Sequence, residues 1–385
     1  MKLSTLNIEK VNFLQPLHHV FHTGEGMTHG PSHLKFWMDY FSLVASNTLI
    51  LLRNQDLYLW AKEEYPNFSI AYAKNVPEID TLFSKLPFVR NIYYSSNTGN
   101  VLHTLKFNEV KHIFLGHGDS DKSASAHKFF RVYDEVWVAG QAHIDRFKNA
   151  GFDVDKMSFV KVGRPSLRDA LNTALTPWDK RGLNSVLYLP TWEGVYEESD
   201  YSSVRLSYDI FTVISKVLPE YQMYTKFHPV TGSRDNTLLN HDQKIKDKLA
   251  ESSIELNINS REVSVDSLIK KSNIFICDIS AVVSECLATD APIFIYIPKD
   301  KDIIIAKSNM AYTDYCYVFS TVEEFENLLY EVAVKKNDYL SDIRKQAINY
   351  IISPDETISC RFEKILFDIS TQAKTEPNVV LPIRQ

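Results

Sequence analysis

The stretch Ile274-Phe-Ile-Cys-Asp-Ile-Ser-Ala-Val-Val-Ser-Glu285 decides how this chain of 385 residues is read. An apolar run of strand length passes through Asp278 and Ser280 into an amphipathic helical pattern. A strand that enters a helix through a short polar turn is a βα unit, the building block of a parallel sheet. The start of such a helix carries free N–H groups and the positive end of the dipole, which suits an anion. Asp278 or Ser280 is equally adequate as a plain helix cap, and capping and binding are compatible. Glu285, a little over one turn on, is placed to reach a ligand hydroxyl.

Working outward, the same alternation recurs along the chain. β-rich runs at 47–53, 68–73, 90–95, 111–115 and 135–139 are separated by helical patterns. A second series follows Arg164-Pro165, at 185–189, 222–227, 254–258, 273–277, 291–297 and 317–320. Two doubly wound α/β sheets fit this pattern, and a chain of this length is expected to divide into two domains. Pro165, Pro177 and Gly182 interrupt the pattern between the series, so the hinge is placed there. The expected division is an N-terminal domain over 1–170, a C-terminal domain over 171–365 and a tail over 366–385.

Composition narrows the function classes. With 44% hydrophobic and 23% charged residues the chain reads as an ordinary globular protein, and a net charge of -6 argues against a nucleic-acid partner. The four cysteines (Cys277, Cys286, Cys316, Cys360) have no CxxC or zinc-ligand spacing and read as reduced thiols. No apolar stretch approaches the ~20 residues of a membrane span, and the first residues lack a signal-peptide core. A cytoplasmic location is expected, with peripheral contact at the inner face of the membrane left open because the short lysine clusters read as solvated faces. Oligomeric state is not legible.

In open parallel sheets ligands bind beyond the carboxyl ends of the strands, and the unusual polar residues fall there. In Lys111-His-Ile-Phe-Leu-Gly-His-Gly-Asp-Ser-Asp-Lys122 an apolar strand ends in a turn whose His117 is a candidate general base, flanked by glycines that permit close approach. In Tyr224-Thr-Lys-Phe-His-Pro229, Lys226 and His228 lie on one side of an ending strand, two cationic-capable groups suited to a diphosphate. Leu187-Tyr-Leu-Pro-Thr-Trp-Glu-Gly194 offers the Thr191 hydroxyl, although a plain strand-to-loop transition explains it nearly as well. The N-terminal cluster His18, His19, His22, His29 and His33, spaced with Gly24, Gly26 and Gly30, reads as a loop lining an acceptor cleft, with His22 and His29 as candidates; its spacing does not match a metal site. The turn Ser95-Ser-Asn-Thr-Gly-Asn100 reads as an anion-holding turn, with Ser96 on the acceptor side. P-loop, dinucleotide-binding and nucleophile-elbow motifs are absent. Asp119-Ser-Asp121 and Asp153-Val-Asp155 are D-x-D elements, so a divalent metal stays open while no cofactor is firmly implied.

Taken in order, His117-Gly118, Arg131-Val-Tyr-Asp134 with Val136-Trp-Val138, Gly163-Arg-Pro-Ser-Leu-Arg-Asp169, Leu189-Pro-Thr-Trp192, His228-Pro229, Asp278-Ile-Ser280 and Asp355-Glu-Thr-Ile-Ser-Cys-Arg361 resemble the CDP-glycerol glycerophosphotransferase family, which builds teichoic acids and related capsules. The resemblance implies a GT-B-like fold with two Rossmann-like domains facing across a cleft. It implies transfer of a polyol phosphate from a CDP-activated donor to a glycan or lipid-linked acceptor, with His117 as base beside Gly118. It places His228, Ser280, Asp278, Thr191, Arg164 and Arg361 toward donor phosphate. Glu193 stands where the family usually has a basic residue, Ala281 where it has serine, and Asp119 follows His117-Gly118 where it has threonine. These departures leave donor and acceptor identity open. A glycosyltransferase of the same architecture using a CMP- or UDP-sugar is the runner-up, and a nonenzymatic nucleotide- or glycan-binding module is third.

Overall fold

A computed structural model of the chain describes residues 5–116, 126–194, 196–197, 200–260, 262–299, 308–354 and 361–372. Two sheets form. The first holds β1 (Asn7–Lys10), β2 (His19–Thr23), β3 (Thr48–Leu52), β4 (Ser69–Tyr72), β5 (Asn91–Tyr94), β6 (Lys111–Phe114), β7 (Glu135–Val138) and β8 (Phe159–Lys161), in the order β1-β4-β3-β2-β5-β6-β7-β8. Every pairing in it is parallel except β1 with β4. The second holds β9 (Ser185–Leu189), β10 (Gln222–Thr225), β11 (Asn257–Ile258), β12 (Ile274–Asp278), β13 (Ile293–Tyr296) and β14 (Tyr317–Phe319), all parallel, in the order β11-β10-β9-β12-β13-β14. The winding reverses between β2 and β5 in one sheet and between β9 and β12 in the other. These reversals are the places where an open parallel sheet leaves a crevice.

The N-terminal histidine cluster is not the expected loop. His19 to Thr23 form β2, the strand at the first switch point, buried along its whole length. The imidazoles here meet polar neighbours on at least one nitrogen: His18 Nδ1, just before β2, lies 3.1 Å from the Phe88 carbonyl, His19 Nε2 2.8 Å from Ser370 Oγ, and His22 Nδ1 3.3 Å from Thr104 Oγ1. Burial pushes the His19 pKa down to about 3 and that of His22 well below its ordinary value, so both serve as neutral core residues. His22 therefore does not line an acceptor loop.

The two sheets are joined twice. Helix Arg361–Gln372 returns to the first sheet, where Phe362 stacks on Trp37 (5.1 Å) and meets Phe41 and Trp137 edge-on, with Leu366 buried beside it. The expected boundary at 365/366 thus falls inside a helix that belongs to the first core. On the other side, Asp145 accepts from Tyr350 Oη (2.6 Å) and Asn309 Nδ2 (3.1 Å). A Cβ on Gly140 would stand 2.6 Å from the Ile351 carbonyl, so helix Gln141–Asn149 starts hard against the end of helix Ser341–Ile351. Among the described residues no helix is long and apolar enough to cross a membrane.

Candidate functional site

At the second switch point β9 and β12 run side by side, Leu189 level with Cys277, so Thr191 and Asp278 leave the sheet together. Asp278 is fully buried, and its Oδ2 accepts from the backbone N–H of Thr191 (2.8 Å) and of Ser203 (3.1 Å). Burial outweighs those bonds and raises its pKa to about 7. The carboxyl ties both ends of the loop 190–203 to the central strand.

Glu193 performs the same task for the neighbouring loop. Fully buried, it accepts from Gly232 N (3.2 Å), Arg234 N (3.0 Å) and Asp235 N (3.1 Å), which fixes the turn after β10. Burial works against its charge, but these N–H donors win and hold its pKa below the ordinary value. The acidic residue at this position thus has a structural reason, independent of any change of substrate. Next to it the Trp192 ring stacks on His228 (6.2 Å, 24°), which brings the ends of β9 and β10 together. A cavity of about 540 Å³, lined by Asp200, Ser202, Arg205, Arg234 and Tyr296 among others, opens beside this knot.

Ser280 stands two residues beyond Asp278, half-buried, at the entry to helix Val282–Leu287, and its carbonyl accepts from Tyr312 Oη at 3.4 Å. The expected residues Thr191, His228, Asp278 and Ser280 therefore gather at the carboxyl ends of three adjacent strands. Three others face elsewhere. The Lys226 ammonium donates to the Val263 carbonyl, and Arg361, exposed at its helix start, donates to the Lys161 carbonyl at 3.3 Å. Glu285 faces the hinge, where burial raises its pKa and the charge of Arg164 draws it back.

At the first switch point the turns after β2 and β5 interlock. Asn100 Nδ2 donates to the Gly24 carbonyl (3.2 Å), and a Cβ on Gly24 would lie 1.8 Å from Asn100 Oδ1 and 2.0 Å from Thr98 Oγ1. Gly24→Ala must push the turn away, and we expect a loss of about 1–3 kcal/mol in urea unfolding. Arg53, at the end of β3, donates to the carbonyls of Ala73 (2.5 Å), Lys74 (2.9 Å) and Asn100 (3.2 Å) and to His103 Nδ1 (2.8 Å). It gathers three chain segments, a role that a lone arginine after an apolar run does not announce. Ser96 is buried at the end of β5, whereas His29 is exposed before helix Gly30–Phe41. Gly116, at φ +71°, ends β6, and its carbonyl accepts from Trp37 Nε1 at 2.7 Å. His117, Gly118 and Asp119 lie outside the described residues. Among the described residues no cluster of His, Cys, Asp and Glu is arranged to hold a metal ion.

A family model described as CDP-glycerol:poly(glycerophosphate) glycerophosphotransferase matches residues 50–366. Among solved structures, the wall teichoic acid polymerase TagF soaked with CDPG is similar at a TM-score of 0.59 and 13% identity, over 95% of this chain and 91% of that one. HepE of Anabaena in complex with UDP is similar at 0.54 and 10% identity, over 91% and 99%. A glycosyltransferase from Rickettsia africae is similar at 0.52 and 12% identity, over 92% and 98%. These likenesses carry the fold, which is GT-B. No curated protein matches the sequence.

Proposed function

Because the chain belongs to the CDP-glycerol:poly(glycerophosphate) glycerophosphotransferase family, we propose that it moves a polyol phosphate from a CDP-activated donor to a hydroxyl of a cell-surface glycan or lipid-linked acceptor. In this reading the acceptor oxygen attacks the β-phosphorus and forms the new O–P bond. The bond from that phosphorus to the bridging oxygen breaks, CMP departs with the electron pair, and the hydroxyl proton passes to His117. His228 and Ser280 stabilise charge growing on the diphosphate, as fixed donors do in phosphoryl transfer. The cavity beside Asp200 and Arg234 offers room for the nucleoside.

The observation that carries the reading is the convergence of Thr191, His228 and Ser280 at the ends of β9, β10 and β12, held by Asp278 and Glu193. A donor screen on purified protein tests it, with each nucleotide product followed against a panel of glycan acceptors. CMP released from CDP-glycerol or CDP-ribitol is the expected outcome. Turnover of a CMP- or UDP-sugar alone would replace the reading by glycosyl transfer, and nucleotide binding without turnover would leave a binding module. We place the reaction in the cytoplasm, at the inner membrane face where lipid-linked acceptors are presented; recovery of enzyme and acceptor in separate fractions would count against that placement.

A further inference from the structure

Two successive residues of the loop after β9 reach across to the chain that leaves β10. The Trp192 ring stacks on His228 at 6.2 Å and 24°. The Glu193 carboxylate takes hold further along, with Oε2 accepting from Gly232 N (3.2 Å) and Oε1 from Arg234 N (3.0 Å) and Asp235 N (3.1 Å). Between these two attachments the turn closes on itself. Thr231 N donates to the His228 carbonyl (3.0 Å), Ser233 N to the Val230 carbonyl (3.0 Å), and Val230 N to His228 Nδ1 (3.4 Å). The imidazole is thus part of a turn whose far end Glu193 holds.

Gly232 lies at φ +86°, and a Cβ there would stand 3.0 Å from the backbone of Leu238 and Leu239, so the turn runs close against that chain. Three N–H groups converging on one carboxylate make a nest filled from within the protein, and each bond is charge-assisted. The ion pairs of the same turn, Arg234 with Asp200 (2.7 Å) and Arg205 with Asp235 (2.7 Å), use cations 30% and 42% exposed, where water competes. Glu193 is enclosed, so it outranks them as the anchor. It also stands where the family usually carries a basic residue, and no role carried over from the family accounts for it.

We propose that Glu193 is a positioning residue for His228: by holding the N–H groups of Gly232, Arg234 and Asp235 it fixes the turn that carries the imidazole, while Trp192 fixes the plane of the ring. Glu193 touches no substrate in this account. A side chain that must meet developing charge is effective only where its geometry is set in advance, and a small displacement is costly. The inference rests on the transfer reading above, in which His228 faces the donor diphosphate.

A double-mutant cycle on E193Q and H228A tests it, with KM measured separately for donor and acceptor. Glutamine keeps an oxygen for Arg234 N and Asp235 N but turns an amide N–H against that of Gly232. We expect E193Q to raise donor KM by roughly tenfold and to leave acceptor KM within about twofold of wild type. In the H228A background the same change should move donor KM by less than about twofold, because the group it positions is gone. Donor KM unchanged in folded E193Q overturns the proposal; so does an effect of full size in H228A, which would make the carboxylate a general support of the fold. If E193Q does not fold, E193D, which keeps the charge and shortens the reach, carries the same cycle. If the wild type turns over no CDP-polyol, the transfer reading fails, and the positioning is read without substrate from the nuclear Overhauser effect between the Trp192 ring and His228 Cε1–H. Its loss in E193Q or E193D upholds the role of Glu193, and its persistence at wild-type strength refutes it.

Discussion

Replacing His117 by alanine is expected to lower polyol-phosphate transfer by roughly 10²–10⁴-fold, the range general base catalysis supplies. An acceptor hydroxyl holds its proton tightly near neutral pH, so attack on phosphorus needs a base that is largely unprotonated there and close to the oxygen. Imidazole is the side chain that changes charge in this pH range. The second requirement is what the variant tests. His117 follows Gly116 at the end of β6, next to β5 of the first switch point, and Trp37 anchors the Gly116 carbonyl. Because the loss falls on a proton transfer made in the transition state, kcat should collapse while donor KM moves little. CDP should still raise the melting temperature of the variant. Single-turnover CMP release is the measurement, and a rate within a few fold of wild type would remove His117 from the chemistry.

The strands legible in the sequence are those whose apolar runs are unbroken, such as Thr48–Leu52 and Ile274–Asp278, buried on both faces. β2 was illegible for a physical reason. Polar letters at 18, 19, 22 and 23 imitate a loop, and only distant residues such as Phe88, Thr104 and Ser370 make those imidazoles affordable in a core. β1, the antiparallel edge, and the three-residue β8 carry too little apolar pattern to stand out. The site divides along the same line. That Thr191, His228 and Ser280 sit at strand ends follows from local pattern, because a proline or a small polar residue stops each run. What a charged side chain binds is decided by residues far along the chain. Lys226 and His228 share a side of the ending extended run as read in sequence, yet Val263 takes the ammonium. Glu193 reads as an anomaly until Gly232, Arg234 and Asp235 are seen to donate to it.

Asp278 makes the stability of this fold depend on pH in the direction opposite to most carboxylates. Its pKa rises from 3.8 to about 7, first because burial penalises the charge, with the Ser203 side chain and the N–H bonds from Ser203 and Thr191 only partly offsetting it and Asp200 adding repulsion. A group raised in the folded state stabilises it while protonated. The contribution is therefore full below the unfolded value near 3.8 and is lost as pH climbs through about 7. A rise of about three units corresponds to at most about 4 kcal/mol. Oδ2 accepts both N–H groups, whereas Oδ1 is buried without a partner. Asp278→Asn keeps an oxygen for the two N–H donors and substitutes an unpartnered amide for Oδ1, a fixed penalty on the order of 1–3 kcal/mol at every pH. In urea unfolding between about pH 4 and about pH 8 the wild type should start as the more stable protein and lose its lead as the carboxyl ionises, with the variant at least level at the upper end. A constant difference across that range would mean that Asp278 is ionised throughout, with its two N–H donors outweighing burial. In that case the knot holding Thr191 would be an anion site already filled by the protein itself, and any donor phosphate would have to be met by His228 and Ser280 against that charge.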